Sequence, residues 1–264
     1  MARVNSAAQA IRDLISRGYT HLSPELLDPG RSGCSRLQVE EFVDSWNELP
    51  GDPYLVGSGV AGRQRRYSRF ALLESGIEAL PAAPFVQSDQ VNPVFGGVER
   101  IFAELSPAVA ASPVLASLLR TVVGCLPAEA GRTAPLDVGI HQIRVRTSAA
   151  ADGLPTPEGI HQDGHRYVAQ VFILRNSVDG GRSTFYQDGT AVYHTYLTEP
   201  FECLLVDDRR MHHGVSAIRP ADGVLGWRDM LLLDFPETAS LAPSGVVADA
   251  PADWRLLPEG VLEG

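Results

Sequence analysis

Cysteine is scarce: Cys34, Cys125 and Cys203 are the whole complement of a 264-residue chain. They are odd in number, widely spaced and form no CxxC pair, which argues against a disulfide framework or a zinc knuckle. Three small hydrophobes in a reducing cytoplasm is the reading they fit. Long hydrophobic runs are missing too. No stretch approaches the roughly 20 apolar residues of a membrane span. The opening "MARVNSAAQAIRDLISRGYTHL" is helical in pattern and lacks the apolar centre of a secretory signal. Positive charge is also in short supply, 22 basic residues against 32 acidic, for a formal charge of −10. That is the wrong sign for gripping nucleic-acid phosphates. The absences argue against nucleic acid and membrane as partners and suit a cytoplasmic protein, with its oligomeric state open.

What is present suits one domain spanning 1–264. A hydrophobic fraction of 44% supplies a core, and no repeat or flexible linker divides the chain. Residues 1–135 read as helix-rich. Ala8, Ile11, Leu14 and Ile15 fall at helical spacing, and in "SRLQVEEFVDSWNEL" Leu37, Phe42, Val43 and Trp46 share a face before Pro50 and Gly51 end it. "NPVFGGVERIFAELSP" is expected to form a further amphipathic helix. "ASPVLASLLRTVVGCL" is expected to form another, with Ser112 as cap and Pro113 in the first turn.

From about Leu136 the grammar changes. "DVGIHQIRVRT" alternates polar and apolar residues, and short runs follow between turn residues: "RYVAQVFILR", "STFYQ", "AVYHTYL", "FECLLVDD", "HHGVSAI" and "WRDMLLLDF". Spaced strands of this kind make an antiparallel sandwich or barrel. The expected architecture is therefore mainly β: a barrel core over 136–236, N-terminal helices packed along one side, and a Pro- and Ala-rich tail, 237–264, wrapping the surface.

In "PEGIHQDGHRY", His161 and Asp163 are two apart on an extended segment and can offer an imidazole and a carboxylate to one ion. His165 joins them only if the chain stays extended through Gly164. Alone, the motif also reads as a turn with capping side chains. Some 50 residues later, "LLVDDRRMHHGVSAIRP" brings paired histidines into another strand. Two histidines and a carboxylate on one triangular face are the open site of non-heme Fe(II) oxygenases. Alternation admits only one of His212 and His213 to the interior and does not say which. Then Arg228 stands in the apolar strand "GWRDMLLLDF". A buried guanidinium needs a carboxylate, and its neighbour Asp229 faces the other side of the strand.

HxD, a distant histidine and a late arginine together resemble the Fe(II)/2-oxoglutarate-dependent dioxygenases. "PEGIHQDG", "GGRSTFY", "DDRRMHHGVSAI" and "WRDMLLLDF" resemble the branch with bacterial L-isoleucine dioxygenases and other free-amino-acid hydroxylases, over roughly Asp137 to Phe235. The resemblance implies a double-stranded β-helix, or jelly roll, of cupin-like form. It implies iron ligation by His161, Asp163 and the histidine directly before glycine, His213, leaving His212 as the alternate. It implies Arg228 for the distal carboxylate of 2-oxoglutarate, O2 as oxidant, and hydroxylation of an amino acid or a small amino-acid-derived metabolite.

Other residues are candidates by position. Gln142, Arg144 and Arg146 share one face of their strand. If that face looks into the barrel, Gln142 and Arg144 meet the substrate, with Arg144 gripping a carboxylate through two points; if it looks to solvent, they are a wet surface. Glu158 suits a substrate ammonium, or caps the loop. Thr184 suits cosubstrate and Tyr186 substrate, with core packing the plainer role for the tyrosine. His165 and His194 read as structural, and Asp207 and Asp208 as turn residues that hold Arg209 or Arg210. Competing functions are tailoring of a peptide or carrier-bound substrate, a jelly roll that binds without turnover, and a zinc hydrolase, which would want more nitrogen ligands and a placed base.

Overall fold

Helix α1 (Ala7–Arg17) starts where Ser6 accepts a hydrogen bond from the Gln9 amide and ends at Gly18, whose φ of +84° turns the chain back. A side chain at position 18 would meet the Met211 sulfur at 3.1 Å. The computed structural model describes residues 3–55, 62–73, 76–89, 91, 96–127 and 136–236, so the expected tail 237–264 lies outside the described residues. Strand β1 (Tyr19–Leu22) and helix α2 (Pro24–Leu27) come next, then α3 (Arg36–Asp44), which opens on a capping box between Ser35 and Gln38. A 3-10 turn, Ser45–Glu48, extends α3. Strands β2 (Arg63–Leu73) and β3 (Gly76–Ala79) precede helices α4 (Pro107–Ala110) and α5 (Pro113–Gly124). As expected, Ser112 caps α5 and Pro113 sits in its first turn. No helix among the described residues is long and apolar enough to cross a membrane.

The rest is strand: β4 (Leu136–Ser148), β5 (Tyr167–Asn176), β6 (Val178–Gly180), β7 (Arg182–Gln187), β8 (Thr190–Tyr196), β9 (Cys203–Asp207), β10 (His212–Val215), β11 (Ile218–Pro220) and β12 (Leu225–Phe235). One sheet has the order β1-β9-β5-β12-β4-β2-β3, and the smaller sheets are β10-β7-β8 and β11-β6. All named pairings are antiparallel. This is the double-stranded β-helix.

The large sheet is buried on both faces, which is why "YVAQVFILR" and "MLLLDF" read as nearly unbroken apolar runs. On its outer face Ile140, Val171 and Leu231 share a core with Trp46, Leu115 and Leu118 of the helical layer. On its inner face Val168, Phe172 and Met230 pack with Phe185 of the small sheet. The sheet therefore separates a dry helical side from the side that holds the site.

Two expectations for the first half fail. Residues 96–106 form no helix; Arg100 instead pairs with Phe85 through two backbone hydrogen bonds of 2.8 and 3.0 Å. Phe102 joins Tyr67 and Phe85 in a satellite core while Ile101 stays exposed, a side-chain split that suits extended chain. β1 and β2, lying in the part read as helix-rich, both enter the large sheet.

The polar face of β4 is a further correction. Gln142 and Arg144 look neither into the barrel nor to solvent, but into the helical layer. Gln142 donates to the Ser45 hydroxyl at 2.9 Å, and Arg144 donates to both Asp229 oxygens at 2.7 Å and to Asn47 at 3.0 Å. With the Trp46 indole donating to the Ile143 carbonyl at 3.2 Å, these bonds fasten the 3-10 turn to the sheet. Arg146, at the strand end, is exposed.

Breaking a buried pair strands one charge, at a cost of about 3–5 kcal/mol. Asp229→Asn is expected to lower unfolding stability by that order in a urea titration, while Arg144→Met with Asp229→Leu recovers most of it. A single variant as stable as wild type would contradict this account.

Candidate metal and cosubstrate site

His161 and His213 are locked side by side by the backbone: each amide donates to the other's carbonyl, at 2.9 and 2.8 Å. Paired residues of this kind project to the same face, and the ring centroids lie 4.5 Å apart. The Asp163 carboxylate bridges them, with Oδ1 3.3 Å from His161 Nε2 and Oδ2 3.2 Å from His213 Nε2. One ligand atom from each residue falls within 4.8 Å of the others, a group that could hold a metal ion. His161 Nδ1 lies 3.1 Å from the Gly159 carbonyl. That contact places the proton on Nδ1 and leaves the Nε2 lone pair for a metal.

The loop is held in shape by Asp208, which accepts from the amides of Asp163, Gly164 and His165 at 3.0, 2.8 and 3.2 Å. Gly164, at φ +83°, turns the chain there, so His165 leaves the triad and meets Asp234 at 3.3 Å. Thus Asp208 holds the loop, whereas Asp207 pairs with Arg166 and Arg210 caps the carbonyl end of α1. His212 is exposed, and the structure brings His213, not His212, to His161 and Asp163. Without a metal the cluster is an ion network. Burial works against the imidazolium of His161, but its bond to Asp163 and the nearby Glu158 raise it to about 9. Burial likewise opposes the Asp163 charge, yet the two histidines hold that carboxyl well below its ordinary value.

Arg228 lines the same cavity. It is 3% exposed, and its Nε and Nη2 have no hydrogen-bond partner. Asp229 is engaged on the far face by Arg144, and the residue opposite Arg228 on β5 is another cation, Arg175. Burial first, and then Arg175, push Arg228 down to about 10. A desolvated guanidinium without a carboxylate fits a site made for an anionic ligand. Glu158 also lines the cavity, with Oε1 3.2 Å from His161 Nε2.

Thr184 and Tyr186 do not line it. β7 pairs with β10 so that Phe185 lies opposite His213, while Thr184 faces Gly214 and Tyr186 faces His212 on the other side. The inward residues are Phe185, whose ring meets His213 edge-on at 6.5 Å, and Ser183. Sequence reasoning also missed the cavity wall on β2 and its neighbours: Arg63, Arg65, Arg100 and His141. The two-residue spacing of Arg63, Arg65 and Tyr67 was the available signal.

A family model described as "2OG-Fe dioxygenase" matches residues 43–234. The chain belongs to that family. This dioxygenase is accordingly an oxidoreductase that uses Fe(II), 2-oxoglutarate and O2. It is 22% identical over 238 residues to an L-isoleucine-4-hydroxylase of Bacillus thuringiensis, covering 87% of this chain and 95% of that one. Among solved structures, a BsmA homologue from Methylobium petroleophilum superposes with a TM-score of 0.75 at 28% identity, covering 89% of this chain and 94% of the other. IDO from Bacillus thuringiensis superposes with a TM-score of 0.71 at 19% identity, covering 89% and 100%.

The geometry separates the two histidines experimentally. In an anaerobic Fe(II) titration of the dioxygenase, His213→Ala is expected to lose metal binding and His212→Ala to keep it. The reverse result would refute the triad.

Proposed function

We propose that the dioxygenase, as one domain over 1–264, hydroxylates an unactivated C–H bond of a free amino acid or a small amino-acid-derived metabolite. In this reading His161, Asp163 and His213 are the iron ligands and Arg228 pairs with the distal carboxylate of 2-oxoglutarate. The observation that carries it is the orphan guanidinium of Arg228 facing the same cavity as the triad. A jelly roll that only stored a metal would have no use for that buried charge. The similarity to an L-isoleucine-4-hydroxylase supports the substrate class. The cysteines, all free, support a cytoplasmic setting.

Ferrous ion, 2-oxoglutarate and O2 together supply the oxidising power, with 2-oxoglutarate leaving as succinate and carbon dioxide while one oxygen atom enters the substrate. The chain supplies the rest. His161, Asp163 and His213 would hold the metal through three protein groups and leave it room for cosubstrate and O2. Arg228 sets the direction of the diacid by charge pairing. Ile143, Val145, Met230 and Leu232 line the cavity between the polar groups and give an aliphatic chain a dry surface. Glu158 is placed to receive an ammonium.

Incubating the Fe(II)-loaded protein with 2-oxoglutarate and a panel of L-amino acids is expected to release succinate above the substrate-free background, with a product one oxygen heavier. A panel without such a member would remove the amino-acid reading. Arg228→Ala is expected to raise the 2-oxoglutarate KM by at least about 30-fold, the equivalent of ~2 kcal/mol for an unpaired buried charge; an unchanged KM would remove Arg228 from that role.

A further inference from the structure

The chain contains no lysine, so every side chain with a permanent positive charge is an arginine, and four of them line this cavity: Arg63, Arg65, Arg100 and Arg228. One is assigned to 2-oxoglutarate by the reading above. The others cluster on the opposite wall. Across the large sheet Val145 lies between Arg63 on β2 and Arg228 on β12, and Ile143 lies between Arg65 and Met230. Two strand spacings put the β2 and β12 anchors roughly 10 Å apart. The surface between them is apolar.

Arg65 is built for a ligand. It is 5% exposed, lies over the Phe102 and Phe85 rings at 4.2 and 5.1 Å, and has no hydrogen-bond partner at Nε. Its Nη2 meets His141 Nδ1 at 2.8 Å, and His141 Nε2 meets Asp234 at 2.7 Å. A guanidinium can only donate, so Nδ1 accepts and the imidazole proton sits on Nε2, directed at Asp234. Burial and then Arg65 hold His141 down to about 4, so it orients Arg65 as a neutral group without cancelling its charge. Arg100 adds a second cation above Phe85, at 4.8 Å, and donates to Gln87 at 2.6 Å; Gln87 in turn donates to the Asp163 carbonyl at 3.1 Å. The arginine wall is thereby tied to the metal-binding loop.

The nearby carboxylates have other tasks. Asp234 lies between His141 and His165, and Asp163 belongs to the triad. Asp52 forms an ion pair with Arg63 at 4.0 Å. Among the described residues that line the cavity, Glu158 is the remaining carboxylate; it lies 3.2 Å from His161 Nε2 and shares the cavity with the three guanidinium groups of this wall. A free amino acid has the matching charges.

We propose that Arg65, flanked by Arg63 and Arg100, is a second carboxylate anchor that binds the α-carboxylate of the substrate while Glu158 takes its ammonium, so that the cavity selects a zwitterion. This rests on the amino-acid reading and adds the residues that would enforce it. The aliphatic side chain then lies along Ile143 and Val145, between the two anchors.

Binding tests it apart from turnover. Protein loaded with Fe(II) and 2-oxoglutarate without oxygen is titrated calorimetrically with aliphatic L-amino acids, their carboxamides and their deaminated acids. A binding amino acid is expected to lose about 30-fold or more in affinity as its carboxamide. Arg65→Met is expected to erase that difference with the 2-oxoglutarate Kd unchanged, and Glu158→Gln to weaken the amino acid but not the deaminated acid. Should Arg65→Met fail to fold, Arg65→Lys is expected to keep part of the preference, and the wild-type comparison of acid with amide needs no variant. Equal binding of acid and amide, full affinity in folded Arg65→Met, or no binding of any carboxylate probe would overturn the proposal. Binding of deaminated acids alone, lost in Arg65→Met, would keep the anchor and discard both the Glu158 role and the amino-acid reading.

Discussion

Two reciprocal hydrogen bonds between the backbones of His161 and His213 hold this site together. They come from segments some 50 residues apart, and the pairing is what sets the two imidazoles side by side. Because the bonds are between main-chain groups, the imidazoles inherit their separation from strand geometry and not from rotamer choice. Asp163 then needs only to follow His161 at a distance of two residues, and the Asp208 carboxylate holds its amide in place. A site made this way is preorganised before any ion arrives, which is what an open metal centre requires of its protein.

The same reliance on sheet parity explains the charges. Arg228 and Asp229 are neighbours in sequence, and pairing would satisfy both. Alternation forbids it. Asp229 is sent to Arg144 and the helical layer, and Arg228 is left facing Arg175 across the strand pair. On β2 the same rule sends Arg63 and Arg65 inward and turns Arg66 toward the Glu104 carbonyl. Parity thus brings Arg63, Arg65 and Arg228 to one cavity, where Arg65 Nε and Arg228 Nε and Nη2 are buried without a hydrogen-bond partner, at a cost in desolvation.

The chemistry was more legible in the sequence than the faces were. HxD, the distant histidine and Arg228 could be read because their meaning lies in residue type and order. The strands of the second half showed in their punctuation. Parity did not show. "HQIRVRT" puts its polar residues on the face that meets Ser45, Asn47 and Asp229, three partners that no local pattern announces. "STFYQ" turns Phe185 toward His213, so the polar Thr184 and Tyr186 fall on the wrong side. Arg65 was hidden for a related reason. In "RQRRYSRF" inward and outward arginines stand next to each other, and a charge run of that kind ordinarily reads as a wet surface.

A β-bulge shows how the fold reconciles these demands. Opposite Asp229 and Met230, β5 carries one extra residue: Asp229 pairs with Leu174 and Met230 with Phe172. Without Ile173 as the surplus residue, the inward and outward sets of β5 would exchange along the rest of the strand. With it, Phe172 remains beside Met230 on the inner face while Ile173 enters the outer core. Phe172 also lies near the Arg228 guanidinium, which is 5.9 Å from its ring centre, so the irregularity falls where the strand passes from hydrophobic wall to a buried cation. An irregularity placed there lets one strand serve both sides of the sheet, with the helical layer gripping Asp229 and the cavity keeping Arg228.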